Sequence, residues 1–331
     1  MAGSQLGHRR PASLNDRAAI VAERSLYIII EMRSRRSCLS VPGVSAKMLD
    51  KAQALEADEV IIDLEDSVPA DLKDQAREQV CAALASGEWR ASTVAVRINA
   101  TTSRWCHRDV IDLIARGGAR LAAFIIPKVE GRADVEFVAR LAGLVEQETG
   151  RGEPVALELL IETATGIARV HESARASERV EALIVGYADL AASLGQPMGD
   201  GSSEDSGERW DPILHTVLVA ARDAGAQAID GPYFEIANTE GLRARAARAR
   251  SLGYDGKWAL HPRQIDPLNE IFAPTQAEFE QASAVLDELA RAERSDGRGA
   301  VLLDGQMIDE AMRKQATQIV ARGRAARLVG T

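Results

Sequence analysis

The chain has 331 residues, 46% hydrophobic and 4% aromatic, with a formal net charge of −9, which supplies one large core and a short appendage. That charge argues against a nucleic-acid partner, since phosphate backbones draw on clustered Lys and Arg, and the basic run 243–250 is interleaved with Ala like a solvated helix face. Cys38, Cys81 and Cys106 are widely spaced and suggest neither a disulfide framework nor a zinc site. No apolar run approaches the roughly 20 residues of a membrane span, so a cytoplasmic protein without membrane or nucleic-acid partners is expected.

Residues 1–35 read as an N-terminal extension, polar at first and then weakly amphipathic, with Met32 as an alternative start. From Ser37 onward, short β-rich runs alternate with helical patterns, the signature of βα units and a parallel sheet. The runs are Cys38 to Val41, Glu59 to Leu64, Thr93 to Ile98, Ala122 to Ile126, Val155 to Ile161, Ala182 to Val185, Ala226 to Ile229 and Lys257 to Leu260. Ser45 or Ala46 opens the first intervening helix, and Asn238-Thr239 is the expected cap of the seventh. Eight βα units are what a closed (β/α)8 TIM barrel needs, and no G-x-G-x-x-G or Walker motif supports a nucleotide-binding open sheet. The barrel is assigned to residues 36–293. A helix from Gln276 to Ala292 and a Gly-containing hinge, Arg294 to Gly299, lead into residues 294–331, a C-terminal helical lid.

Catalytic groups of such barrels stand at the carboxyl ends of the strands. Here those ends carry Asp63-Leu-Glu-Asp66, Arg97-Ile-Asn99, Pro127-Lys128, Glu162, Gly186-Tyr-Ala-Asp189 and His261-Pro262. Singly, each carboxylate reads as a helix cap or an ion-pair partner. Five carboxylates and one Arg at a single mouth repel one another unless a cation is present, and an oxygen-rich set without a His cluster points to a hard ion such as Mg²⁺. His261 reads equally as a chemical group or a packed turn. His8, His107, His171 and His215 fall in tail or helical stretches.

The ordered series V-P-G at 41–43, D-L-E-D-S-V at 63–68, R-I-N at 97–99, I-P-K-V at 126–129, I-E-T-A at 161–164 and G-Y-A-D-L-A-A-S-L-G at 186–195 resembles the citrate lyase β-subunit-like or malyl-CoA lyase-like family of the HpcH/HpaI aldolase superfamily. D-G-P-Y at 230–233, G-K-W-A-L-H-P-R-Q at 256–264, F-A-P-T at 272–275 and D-G-Q-M-I-D at 304–309 continue the match. The resemblance implies a barrel with a C-terminal lid, Glu162 and Asp189 as Mg²⁺ ligands, and Arg97 on the thioester carbonyl as it becomes an enolate. It also implies Asp309, in the lid of a neighbouring subunit, as the base, with Lys51, Arg97, Leu260 and His261 along coenzyme A. The implied activity is a retro-Claisen carbon–carbon lyase acting on malyl-CoA, β-methylmalyl-CoA or citramalyl-CoA, in a homo-oligomer, a trimer or hexamer. The alternatives are a malyl-CoA thioesterase, a citrate lyase β subunit acting on a carrier-bound thioester, and a non-catalytic CoA- or metabolite-binding protein. The last is motivated by Ser40 and Ser45, which stand where many relatives carry an aromatic and an Arg. From the residues alone Asp309 is an ordinary polar position before a helix. The short acidic stretch 199–208 is expected to alter the substrate mouth.

Overall fold

A computed structural model describes residues 33–197, 208–296, 301–303 and 306–326. The extension before Arg33, most of the acidic stretch 199–208 and part of the hinge at 294–299 lie outside the described residues. Eight parallel strands close into a barrel: β1 (Ser37–Pro42), β2 (Glu59–Asp63), β3 (Thr93–Arg97), β4 (Ala123–Ile126), β5 (Ala156–Ile161), β6 (Val180–Val185), β7 (Gln227–Asp230) and β8 (Gly256–Ala259). Each strand pairs with the next, and β1 closes on β8 through Cys38 opposite Trp258. The eightfold βα reading of the sequence therefore holds, with strand ends displaced by one or two residues.

Period-two alternation assigns each strand residue a side. In β2, Val60 and Ile62 pack outward in the large cluster beneath the helices, whereas Ile61 joins the smaller interior cluster with Ala95, Ile125, Leu160, Ile184 and Trp258. The same parity turns Glu59 and Asp63 inward at the two ends of β2, and Glu158 and Glu162 inward at the start of β5 and just past its end. Four residues of strand separate the members of each pair by roughly 13 Å, so the barrel carries two polar layers with an apolar one between them.

The lower polar layer is a plug. Arg35, 2% exposed, donates through Nε to Glu59 (2.8 Å) and Glu158 (3.0 Å), and through its terminal nitrogens to Gln227 (2.5 Å) and Glu181 (2.7 Å). Burial first, and the facing Glu158 second, push the Glu59 carboxyl well above its ordinary range. The same guanidinium is the direct cationic partner of both buried carboxyls. Gly256 is required beside this plug, because a Cβ there would fall 1.7 Å from the Arg35 carbonyl oxygen.

Capping follows the sequence signals. Ser45 accepts from the Met48 N–H at the start of helix Ala46–Gln53, and Asn238 accepts from the Gly241 N–H at the start of helix Thr239–Leu252. Residues 33–273 form one compact unit, and the described residues from Pro274 onward form a second. In the second, helix Gln276–Asp296, an antiparallel hairpin of β9 (Val301–Leu303) and β10 (Gln306–Ile308), and helix Glu310–Ala325 enclose Phe279, Leu289, Ile308 and Val320. None of the described helices is long and apolar enough to cross a membrane.

Candidate active site at the barrel mouth

At the carboxyl end of β2, Asp63 is 1% exposed and organises its own loop, its two oxygens accepting from the N–H groups of Glu65 (2.8 Å) and Ser67 (3.0 Å). Arg97, on the neighbouring β3, grips the same carboxylate through Nε and Nη2, both at 2.7 Å. Burial alone would raise Asp63, but the paired hydrogen bonds and charge of Arg97 hold it below the usual carboxylate range. The guanidinium is thus fixed in a bidentate fork, with its third nitrogen 3.2 Å from Glu65 and the Trp258 ring centroid 5.7 Å away. Lys73 pins the loop from below by donating to the carbonyls of Leu64 and Glu65, both at 2.7 Å.

Asn99 of the R-I-N motif and Arg77 have structural duties. Asp109 accepts from the Asn99 backbone and side chain (2.9 and 2.6 Å) and from Arg77 (2.9 Å), which anchors the end of β3 to the helices outside it.

Glu162, just past β5, is 2% exposed and takes one hydrogen bond, from the Lys128 N–H (2.9 Å) to Oε1. Burial, and next the charge of Asp189, push its carboxyl up to about 8. Asp189 stands in the first turn of helix Tyr187–Ser193, half-buried. The Ala164 N–H donates to Ser193 Oγ (2.9 Å) and the Gly186 N–H to the Ile161 carbonyl (3.1 Å), so the segments bearing Glu162 and Asp189 are tied together. Gly186 has no room for a side chain: a Cβ would lie 2.5 Å from Glu162 Oε2. Helix Tyr187–Ser193 is held in turn by a buried relay in which Tyr187 donates to Asp230, and Lys257 donates to Asp230 (2.5 Å) and the Gly231 carbonyl (2.6 Å).

The structure thus brings Arg97, Glu162 and Asp189 to one mouth, adds Lys128 and the Tyr187–Asp230–Lys257 relay, to which sequence reasoning gave no separate role, and makes Asp63, counted there among the carboxylates of a cation site, the partner of Arg97. It also corrects the charge count. Of the five carboxylates, Asp63 and Glu65 pair with Arg97, and Lys128 pairs with Glu65 and lies 3.6 Å from Asp66. Glu162 and Asp189 remain the pair whose mutual repulsion a cation would relieve. Among the described residues no group of three or more His, Cys, Asp or Glu side chains could hold a metal ion. Two carboxylates nonetheless fit Mg²⁺, which keeps several waters and uses substrate oxygens for the rest of its shell.

His261 behaves as the packed turn: its Nδ1 accepts from the Arg263 N–H (3.1 Å) and caps the short helix Pro262–Gln264. The Leu260 N–H donates to Gln264 Oε1 (2.7 Å), and Gln264 donates to the Tyr233 carbonyl (3.0 Å), which fixes the loop after β8. Lys51 is exposed in the last turn of helix Ala46–Gln53. In the C-terminal unit, exposed Asp309 caps helix Glu310–Ala325, its Oδ1 accepting from the N–H groups of Ala311 (3.0 Å) and Met312 (3.2 Å).

Comparison with known proteins agrees with the fold. The chain is 38% identical over 300 residues to the L-malyl-CoA/beta-methylmalyl-CoA lyase of Cereibacter sphaeroides, covering 87% of this chain and 94% of that one. It is 37% identical over 294 residues to the citrate lyase subunit beta of Escherichia coli, covering 88% and 93%. The crystal structure of protein CitE from Mycobacterium tuberculosis in complex with magnesium, acetoacetate and coenzyme A has a TM-score of 0.65 and 30% identity, covering 87% of this chain and 97% of that one. Residues 36–262 match the HpcH/HpaI aldolase/citrate lyase description, and the chain belongs to that family.

Proposed function

We propose that this chain is a Mg²⁺-dependent lyase that cleaves malyl-CoA, β-methylmalyl-CoA or citramalyl-CoA into an acyl-CoA and glyoxylate or pyruvate. The observation that carries the reading is the mutually repelling Glu162–Asp189 carboxyl pair beside an arginine that Asp63 holds in a fixed fork. Relatives named as malyl-CoA/beta-methylmalyl-CoA lyases and a CitE structure with magnesium and coenzyme A support the substrate class and the ion.

Glu162 and Asp189 would hold a magnesium ion, which would supply a Lewis acid for the keto-acid half of the substrate. Asp309, contributed by the C-terminal lid of a neighbouring copy, takes the β-hydroxyl proton, and the oxygen's electron pair forms the new carbonyl as the carbon–carbon bond breaks. Negative charge then collects on the thioester oxygen, where Arg97 donates to it. Because Asp63 already fixes the guanidinium, little reorganisation is needed at that moment. Protonation at carbon completes the acyl-CoA. Lys51, Leu260 and His261 lie along the coenzyme in this reading, and a trimer or hexamer supplies the shared lid.

A second reading is favoured by the 37% identity to a citrate lyase β subunit: the same chemistry on a thioester attached to a carrier protein. Incubation of the purified chain and Mg²⁺ with malyl-CoA and citramalyl-CoA, following keto acid and free thiol, separates the possibilities. Keto acid with intact acyl-CoA supports the lyase. Free thiol without keto acid means a thioesterase, and no turnover without a carrier-bound substrate favours the second reading.

A further inference from the structure

Strand β4 ends at Ile126, and the chain leaves it through Pro127 into Lys128, whose φ is +52°. Among the described residues every other positive φ belongs to a glycine. A side chain with a Cβ rarely adopts the left-handed region, and a residue held there at the edge of an active site points to a duty of its backbone.

Two contacts define that duty. The backbone N–H, turned out of the strand ladder, donates to Glu162 Oε1 at 2.9 Å. The ammonium reaches the loop after β2, pairing with Glu65 and lying 3.6 Å from Asp66. Glu162 is thereby approached from two sides, by the Lys128 amide on Oε1 and by Gly186, whose missing Cβ leaves room for Oε2. Lys128 thus touches a proposed cation ligand with its main chain and, with its side chain, the acidic loop that flanks Arg97.

We propose that Lys128 is a positioning residue of the cation site, and that its left-handed backbone, not its charge, fixes the Glu162 carboxylate that the cation needs. The ammonium serves a separate purpose, pairing with Glu65 and reaching Asp66. The inference rests on the Glu162–Asp189 reading given above.

Lys128→Gly, Lys128→Ala and Lys128→Val test it at constant charge, because all three lack the ammonium and differ in their tolerance of positive φ. Free Mn²⁺ is titrated by electron paramagnetic resonance against each full-length variant without substrate, beside wild type and Glu162→Gln, with thermal melts of every protein. The expected order of affinity is Gly, then Ala, then Val, with Val weaker than Gly by roughly tenfold or more, as for other groups that orient a metal ligand. Recovery of the Val defect by Gly is an effect that loss of side-chain packing would not produce. Equal affinity of all three variants, with Glu162→Gln still impaired, overturns the inference alone. If Val does not fold, Gly and Ala decide by the same comparison. Mn²⁺ binding by Glu162→Gln as tight as by wild type overturns the cation-site reading itself, and the inference with it.

Discussion

Replacing Gly186 by Ala isolates one contact of the site. The backbone there, at φ −102° and ψ 93°, is open to any residue, so no conformational strain accompanies the change. The added Cβ would lie 2.5 Å from Glu162 Oε2 and 2.6 Å from Glu162 Cβ. Comfortable contact needs about 3.5 Å, so the two groups must separate by about 1 Å. Swinging the Glu162 carboxylate off the Lys128 amide relieves only the contact with Oε2; the contact with Cβ also needs the two backbones to part against the hydrogen bond from the Gly186 N–H to the Ile161 carbonyl. Overpacking of this kind costs about 1–3 kcal/mol, and a displaced ligand lowers metal affinity roughly 10–100-fold. Mn²⁺ titration and thermal melts measure both quantities. Combination with Glu162→Gly, which removes both clashing atoms, should abolish the stability penalty of Gly186→Ala, a non-additivity of the size of the clash. Gly186→Ala with wild-type Mn²⁺ affinity, or a penalty that simply adds to that of Glu162→Gly, would show that Glu162 is not held as described.

Other perturbations give different signatures. Asp63→Asn leaves a nearly buried guanidinium short of its counter-charge, so stability should fall by about 3 kcal/mol and kcat should drop while Mn²⁺ affinity is kept; an unchanged kcat would show that Arg97 needs no such clamp. Asp309→Asn keeps an oxygen that can cap helix Glu310–Ala325, whereas Asp309→Ala does not. Both should lose turnover, but only the alanine variant should also lose about 1 kcal/mol of stability, and an active asparagine variant would remove Asp309 from proton transfer. Because burial and Asp189 raise Glu162 from 4.5 to about 8, its contribution to the stability of the cation-free fold is complete below about pH 4.5 and lost as pH rises through about 8. A bound cation displaces that proton, so Mn²⁺ affinity should climb by up to about tenfold per pH unit toward pH 8 and level off above it. A flat profile across that range would contradict the raised carboxyl.

The barrel was legible in the sequence because period-two apolar runs and polar strand ends are properties of single segments. Arg97, Glu162 and Asp189 were visible for the same reason among the polar groups after the strands, but their selection from that set came from family resemblance. What the chain order concealed is pairing across strands. Glu59-x-Ile61-x-Asp63 and Glu158-x-Leu160-x-Glu162 carry the two-layer pattern openly, yet no local feature reveals that Arg35 neutralises the lower pair while Asp63 takes Arg97 at the top. Lys128 was visible as part of Pro127-Lys128, but a positive φ at a non-glycine residue is set by its surroundings and leaves no compositional trace. His261 stood between a chemical group and a turn, and the structure uses one ring nitrogen as a cap because the Arg263 N–H needs an acceptor. From the residues alone Asp309 is an ordinary polar position before a helix, the structure makes it the cap of that helix, and its proposed role as a base comes from family resemblance.

The most direct test follows glyoxylate and acetyl-CoA released from malyl-CoA by wild type and Glu162→Gln, each with Mg²⁺ and with excess chelator. The account predicts stoichiometric release of both products by wild type with Mg²⁺, abolished by chelator and by the substitution; equal turnover in all four conditions would contradict a cation-dependent lyase at this mouth.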